Sequence, residues 1–146
     1  MPEAAGESGG QSAIIVDLDG TLALLTRRGP YEYLRSHLDE VNEAVKKVVV
    51  AYRSLFGSVL LISGRDDVAD TMTREWLERH GIPFDALFMR RCGDRRKDTV
   101  VKREIYEREI AGRYRVDFVL DDRDQVVAMW RDELGLVCFQ VASGNF

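Results

Sequence analysis

The sequence has few of the residues that build disulfide frameworks or transition-metal sites. It contains two cysteines, Cys92 and Cys138, and two histidines, His37 and His80, and none of them is clustered at metal-ligand spacing. Isolated thiols without a C-x-x-C pair do not indicate a zinc site. In a chain without an export signal, such thiols are expected to be reduced.

Long apolar runs and export signals are also missing. No stretch approaches the roughly 20 apolar residues that cross a bilayer, so we expect no membrane partner. The first eleven residues carry neither a basic nor an apolar segment, which excludes a signal peptide. We interpret residues 1–11 as a flexible leader and residues 12–146 as one domain, and we expect a cytoplasmic location.

The chain has no excess of positive charge. It carries 21 Lys and Arg against 25 Asp and Glu, a net charge of −4, which argues against coating nucleic acid through bulk electrostatics. The charge is uneven, with a basic pair at Arg27-Arg28 and a basic cluster formed by Arg90, Arg91, Arg95, Arg96 and Lys97. A solvated loop and a local binding site are both compatible with that cluster.

Strand and helix patterns alternate along the rest of the chain. Short apolar, β-branched runs predict strands near residues 13–16, 59–62, 86–89, 116–120 and 137–141. Apolar residues at helical spacing predict helices near residues 39–56, 68–79, 98–111 and 125–134. This order predicts an α/β, doubly wound, Rossmann-like fold with a mostly parallel five-stranded sheet flanked by helices. Only a short segment precedes the first helix, so we expect no cap domain and at most a flap over residues 24–38.

The segment Asp17-Leu18-Asp19-Gly20-Thr21 directly follows the first predicted strand. In an extended chain, residues two apart point the same way, so both carboxylates can flank one reacting centre. A carboxylate nucleophile divides the hydrolysis of a phosphate monoester into two easier steps. A second carboxyl can protonate the leaving group and later activate water. We interpret Asp17 as the nucleophile and Asp19 as the general acid/base, with a polar turn as the alternative.

Asp121 and Asp122 end the fourth predicted strand. Because the carboxyl ends of parallel strands meet at one edge of a sheet, this pair is expected near Asp17. Converging carboxylates repel one another unless a cation compensates. Magnesium prefers carboxylates together with water and phosphate oxygens. We therefore expect Mg²⁺ as the cofactor, with ligands from Asp17, Asp19, Asp121 and Asp122.

Four further polar residues are candidates for binding a phosphoryl group. Ser63 and Arg65 follow the second strand, where a hydroxyl and a guanidinium fork suit phosphate oxygens. Ser63 is equally compatible with a helix N-cap. Asp98 and Lys102 are four residues apart on one predicted helix, which is also the spacing of an intrahelical ion pair. The alternatives are a surface lysine at 102 and an N-cap at 98.

The order of these motifs resembles that of the haloacid dehalogenase (HAD) superfamily, with its nucleophile motif at residues 17–22 and later motifs at Ser63, Lys102 and Asp121-Asp122. Longer segments, among them Arg28-Gly29-Pro30-Tyr31, residues 93–98 and residues 140–144, resemble the 3′-phosphatase domain of phage-type polynucleotide kinase/phosphatase. The resemblance covers about residues 12–146.

The resemblance implies a HAD-like fold and a Mg²⁺-dependent polynucleotide 3′-phosphatase that works through an aspartyl-phosphate. The implied substrates are 3′-phosphorylated DNA or RNA ends, which we expect to be single-stranded or frayed, and some family members also act on 2′,3′-cyclic phosphates. It assigns phosphate or substrate binding to Thr21, Arg28, Ser63, Arg65, Asp98 and Lys102. The chain contains no G-x-x-x-x-G-K-[ST] loop, so a 5′-kinase activity is not implied. A homodimer and action with a separate kinase or ligase both stay open.

Three alternative functions fit the sequence to different degrees. A phosphatase of a small metabolite would share every catalytic residue, although the uncapped layout favours a polymer. A signalling receiver domain would carry its acidic pair after the first strand, whereas here the pair follows the fourth. A catalytically inactive binding module is disfavoured because no expected catalytic group is missing.

Overall fold

A five-stranded parallel sheet forms the centre of the molecule. The computed structural model describes residues 10–26, 28–29 and 32–146. Most of the predicted leader, residues 1–9, lies outside this range, as do Arg27, Pro30 and Tyr31. The strands are β1 (Gln11–Val16), β4 (Ser58–Asp66), β5 (Ala86–Arg90), β6 (Tyr114–Asp121) and β7 (Cys138–Gln140), in the order β5-β4-β1-β6-β7. The two remaining strands, β2 (Ala23–Leu24) and β3 (Glu40–Val41), form a small antiparallel pair. The predicted α/β architecture is confirmed.

The central strand β1 divides the hydrophobic core into two layers. It pairs in parallel with β4 on one side and β6 on the other. Alternate side chains of a strand point to opposite faces. Ile14 and Val16 accordingly pack in one buried cluster, and Ala13 and Ile15 pack in the other. Helices cover both layers, so the functional edge of the sheet rests on a rigid core.

Four helices flank the sheet, two on each face. Helix α1 (Glu43–Leu55) and α2 (Asp70–Arg79) cover one layer, and α3 (Asp98–Ile105) and α4 (Asp124–Ala128) cover the other. Both α3 and α4 continue into a π-helical turn, at Tyr106–Ile110 and Met129–Glu133 respectively. A 3₁₀ turn, Asp67–Ala69, precedes α2. The start of the first helix was predicted too early, at residue 39, because residues 40–41 form β3 and the side chain of Asn42 caps α1.

The connection between β1 and α1 covers residues 17–42. It contains the β2–β3 pair and a 3₁₀ helix, Tyr33–Leu38. Across the described part of the chain, no additional domain is inserted over the sheet edge, which agrees with the expected capless layout. None of the described helices has the length and apolar character needed to span a membrane.

Candidate active site at the carboxyl edge of the sheet

The carboxyl ends of three neighbouring strands bring the predicted catalytic residues together. Asp17 follows β1, Ser63 and Arg65 lie at the end of β4, and Asp121 ends β6. The backbone N–H of Asp17 donates to the carbonyl of Leu120 at 3.0 Å, which continues the β1–β6 ladder by one residue. The backbone of Asp17 is therefore fixed to the sheet, and the residue is only 6% exposed.

A tight turn after Asp17 requires glycine at position 20. Gly20 has a φ of +84°, a conformation that L side chains rarely adopt. A Cβ atom at this position would lie 2.1 Å from Oδ2 of Asp122. Thr21 follows, and its hydroxyl lies 3.1 Å from Oδ2 of Asp17 and 3.3 Å from Oδ1 of Asp122. The turn thus brings the first and fourth motifs into contact, and the predicted phosphate-binding role of Thr21 stays a prediction.

Lys102 reaches the same centre from helix α3. Its buried ammonium donates to Oδ1 of Asp17 at 2.7 Å and to Oδ2 of Asp121 at 3.0 Å. It is neither a surface lysine nor half of an intrahelical pair. Burial alone would lower the pKa of Lys102, but the charges of Asp121 and Asp17 outweigh that effect and raise it. Asp121 also accepts a hydrogen bond from the indole of Trp130 at 3.1 Å.

Asp17, Asp121 and Asp122 form a buried three-carboxylate cluster. One oxygen from each lies within 4.8 Å of the others. Burial is the main cause that raises the pKa of Asp17 well above its usual range, and the neighbouring Asp121 adds to it. Burial likewise raises the pKa of Asp122. Three carboxylates face the single positive charge of Lys102, so this hard-oxygen set fits a magnesium ion.

The side chain of Asp19 belongs to a different group. Its Oδ1 accepts from Nη2 of Arg28 at 2.8 Å and from Nε and Nη2 of Arg65 at 2.9 and 2.6 Å. Both guanidinium groups are almost completely buried, while the Asp19 side chain is 25% exposed. Two arginines therefore hold Asp19 facing the open edge. The Asp19 carboxylate contacts the two arginines and is not part of the three-carboxylate cluster. Its role as a metal ligand stays a prediction.

Asp39 completes the arginine network and was missed by sequence reasoning. Its carboxylate accepts from Nε and Nη2 of Arg28 at 2.8 and 2.9 Å and from Nη2 of Arg65 at 3.0 Å. Its carbonyl accepts from the indole of Trp76 at 2.9 Å. The residue lies just before β3, where the helical pattern had been extended too far, and no local motif marks it. Its partners are distant in sequence, so no local pattern could have revealed it.

The two arginines use most of their donors within the protein. Besides its bonds to Asp19 and Asp39, Arg65 donates from Nη1 to Thr73 at 2.9 Å. Arg28 donates from Nη1 to the carbonyl of Gly29 at 3.3 Å. Phosphate binding by these arginines stays a prediction, whereas their contacts support a role in positioning Asp19.

Neither Ser63 nor Asp98 has the alternative structural role that the sequence allowed, a helix N-cap or an intrahelical ion pair. Ser63 lies inside β4, where its hydroxyl accepts from the backbone N–H of Arg65 at 3.1 Å, so it is not a helix N-cap. Asp98 begins α3 and forms ion pairs with Arg90 and Arg123 rather than with Lys102. A Cβ at Gly64 would lie 2.7 Å from Oδ1 of Asp98, so Asp98 packs directly against the end of β4. Substrate binding by Ser63 and Asp98 stays a prediction.

The sequence matches the model of a known protein family. The sequence model of the polynucleotide kinase PNKP phosphatase domain matches residues 11–146. The chain belongs to this family of phosphatase domains. Its β1 starts at Gln11, which is also where the match begins and which had been assigned to the leader.

Similar proteins carry this domain within longer chains. A protein of Autographa californica nuclear polyhedrosis virus, named as a bifunctional polynucleotide kinase/RNA ligase, is 37% identical over 123 residues, which are 82% of this chain and 18% of the viral protein. A chain in a structure of the Pnkp1/Rnl/Hen1 RNA repair complex superimposes with a TM-score of 0.94 at 43% identity, covering 98% of this chain and 46% of that one. A second structure of a Pnkp1/Rnl/Hen1 complex gives a TM-score of 0.92 at 44% identity, covering 94% and 48%. This PNKP-type phosphatase domain therefore spans less than half the length of these relatives.

Proposed function

We propose that this domain is a Mg²⁺-dependent polynucleotide 3′-phosphatase that forms an aspartyl-phosphate on Asp17. The observation that carries the proposal is the buried Asp17 carboxylate, held 2.7 Å from Lys102 beside Asp121 and Asp122. Asp19 lies two residues further on, fixed by two arginines and partly open to solvent. Membership of the PNKP phosphatase-domain family supports a polynucleotide end as the substrate.

The reaction has two balanced steps. In the first, an oxygen of Asp17 attacks the phosphorus, the bond from phosphorus to the 3′ oxygen breaks, and Asp19 donates a proton to that oxygen. In the second, Asp19 takes a proton from water, the water oxygen attacks the phosphorus, and the bond between phosphorus and the Asp17 oxygen breaks, which releases inorganic phosphate and restores the Asp17 carboxylate. Lys102 holds the orientation of Asp17 throughout. Asp17, Asp121 and Asp122 would hold a magnesium ion, which would supply positive charge and reduce the repulsion between the nucleophile and an anionic substrate.

The open edge of the sheet favours a polymer over a small metabolite. The described residues place only the β2–β3 pair and a 3₁₀ helix between β1 and α1, so no separate domain encloses the substrate there. An open site suits a phosphate attached to a long chain that must leave across the edge. DNA and RNA ends both satisfy this geometry.

The relatives support a joint role with other repair activities. The viral relative is named as a kinase/ligase, and the solved neighbours come from complexes whose titles contain Rnl and Hen1. We propose that this domain acts together with a polynucleotide kinase or ligase, whether on the same chain or on a partner.

Replacing the nucleophile tests the mechanism. Asp17→Asn is nearly isosteric but not nucleophilic, so release of phosphate from a 3′-phosphorylated oligonucleotide is expected to disappear while circular dichroism stays unchanged. Asp19→Asn is expected to lose more activity on the oligonucleotide than on p-nitrophenyl phosphate, whose leaving group needs less protonation. Retained turnover by Asp17→Asn at a few per cent of wild type, or wild-type preference for sugar phosphates, would contradict the proposal.

A further inference from the structure

The basic loop, residues 91–97, connects the carboxyl end of β5 to the start of α3. Because β5 is parallel to β4, this loop lies on the same edge of the sheet as the candidate site. Asp98, immediately after the loop, packs against Gly64 at the end of β4. The positive charges of the loop therefore lie on the edge of the sheet that also carries Asp17.

Two of the arginines in this region hold the loop in shape. Arg90 donates to the carbonyl of Gly64 at 2.9 Å and to that of Asp94 at 3.1 Å, and it pairs with Asp98. Arg96 pairs with Asp94 at 2.8 Å and with Glu104 at 2.6 Å. The donors of Arg90 and Arg96 are thus taken by acceptors of the protein itself, although the Arg96 side chain is 47% exposed, and these contacts fix the loop.

The other three cations of the loop are directed outward. Arg91, Arg95 and Lys97 are exposed. Within the described parts of the chain, their side chains form no ion pair or hydrogen bond, and the neighbouring Asp94 is already engaged by Arg96. Asp67 also contacts the loop, where it accepts from the backbone N–H of Cys92 at 3.1 Å. In a protein with a net charge of −4, three neighbouring cations without an ion-pair partner still form a local positive group.

We infer that Arg91, Arg95 and Lys97 bind the sugar–phosphate backbone of the substrate strand just upstream of its terminal phosphate. This inference rests on the proposed function, since it places that terminal phosphate at Asp17. Cations held on a pre-shaped loop contact phosphates without a large ordering cost. They carry no base-specific geometry, so the surface binds single strands of any sequence.

The test compares two double variants that remove equal charge. Arg91→Gln/Arg95→Gln removes two loop cations, and Lys97 is left in place because it adjoins Asp98. Arg113→Gln/Arg115→Gln removes two exposed arginines at the amino end of β6, on the opposite edge of the sheet. Anisotropy of a fluorescein-labelled single-stranded oligonucleotide with a 3′-hydroxyl measures binding independently of turnover. Hydrolysis of p-nitrophenyl phosphate and of the 3′-phosphorylated oligonucleotide is measured beside it.

The loop variant is expected to bind the oligonucleotide at least about fivefold more weakly at low salt. Its slope of log K against log salt should be shallower by about 1.4, since each phosphate neutralised on a single strand contributes about 0.7. Hydrolysis of p-nitrophenyl phosphate should stay within about twofold of wild type, because that substrate has no backbone to contact the loop. The control variant should bind like wild type. If the loop variant bound the oligonucleotide as tightly as wild type, the inference would be overturned. If wild type bound the oligonucleotide normally but did not hydrolyse the 3′-phosphorylated form, only the proposed function would be overturned.

Discussion

At the scale of single residues, the buried arginines depend on Asp39 as much as on Asp19. Arg28 and Arg65 bring two positive charges into a region where both side chains are at most 1% exposed. Asp39, whose side chain is fully buried, accepts from both of them. Two carboxylates therefore balance two guanidiniums, and only Asp19 extends towards solvent. Such a network stabilises the fold only while every partner is present.

Asp39→Asn is expected to lower the free energy of unfolding by about 3–5 kcal/mol, because it leaves an excess charge buried with incomplete partners. It should also lower kcat, since the arginines that position Asp19 lose their second carboxylate. Urea titrations and turnover of the 3′-phosphorylated oligonucleotide, whose leaving group needs protonation by Asp19, measure the two effects.

Asp70→Asn is the matched control for the loss of Asp39. It breaks an ion pair with Arg74 in which both side chains are more than one third exposed. Exposed pairs contribute about 0–1 kcal/mol, so this variant should unfold and turn over much like wild type. A similar small loss for both variants would show that the Asp39 network does not stabilise the fold.

At the scale of elements, the turn after β1 sets the distance between the first and fourth motifs. Gly20 combines a φ of +84° with an approach to Asp122 that leaves no room for a side chain. Gly112 has a similar φ of +79°, but nothing lies within 4 Å of the position a Cβ would occupy. Comparing substitutions at the two glycines therefore separates the effect of backbone strain from the effect of crowding against Asp122.

Gly20→Ala and Gly112→Ala are each expected to lose about 1–2 kcal/mol of stability from the left-handed backbone alone. Only Gly20→Ala should also displace Asp122, and its kcat/KM should fall at least about tenfold, a loss equivalent to about 1.4 kcal/mol of transition-state stabilisation. Urea unfolding and steady-state kinetics measure both quantities. If the two variants lost activity equally, the contact between the turn and Asp122 would have no catalytic role.

Element types were predictable because strands and helices carry different local apolar patterns. The continuous apolar run of β1 and the helical spacing of α1 are such local signals, and the structure has both elements. The π-helical turns after α3 and α4 were not predictable, because a change of pitch leaves the apolar spacing nearly unchanged. The extension of β4 to Asp66, four residues beyond the predicted strand, was missed because its last residues are polar.

Some residues of the candidate site could be predicted from the sequence, and others could not because only long-range contacts bring them there. Asp17 and Asp121 were expected to meet, since parallel strands place their carboxyl ends at one edge. The spacing of Asp98 and Lys102 indicated only an intrahelical pair, and it was the family resemblance that placed Lys102 in the site. Asp39 had neither a motif nor a resemblance to mark it, and only the folded chain brings it to the arginines.

At the scale of the whole molecule, magnesium binding is expected to stabilise the fold. A ligand at 100 times its Kd adds about 2.7 kcal/mol if it binds only the folded state. Magnesium should therefore raise the Tm of wild type, and Asp122→Asn should abolish most of that rise. Asp19→Asn should keep it, because the Asp19 carboxylate lies outside the three-carboxylate cluster. Differential scanning fluorimetry measures these shifts without reference to turnover.

The activity should require magnesium, and calcium should not replace it. Calcium takes more ligands at longer distances, which would misplace Asp17 for in-line attack. Full turnover with calcium or after exhaustive chelation would contradict the assigned role of the three-carboxylate cluster.

The charge distribution of the whole molecule limits how much of a polynucleotide it can hold. A net charge of −4 prevents the protein from following a long phosphate backbone, and the outward cations of the basic loop are confined to one edge. We therefore expect the affinity of the Asp17→Asn protein for 3′-phosphorylated single strands to stop rising by about eight nucleotides, within the range of one small single-strand site. With about 0.7 per contacted phosphate, the salt slope should also stay shallower than about −4. Titrations of a length series at several salt concentrations measure both quantities. Affinity that keeps rising beyond that length would require an extended basic groove, and the terminal nucleotides could then no longer be the main contact.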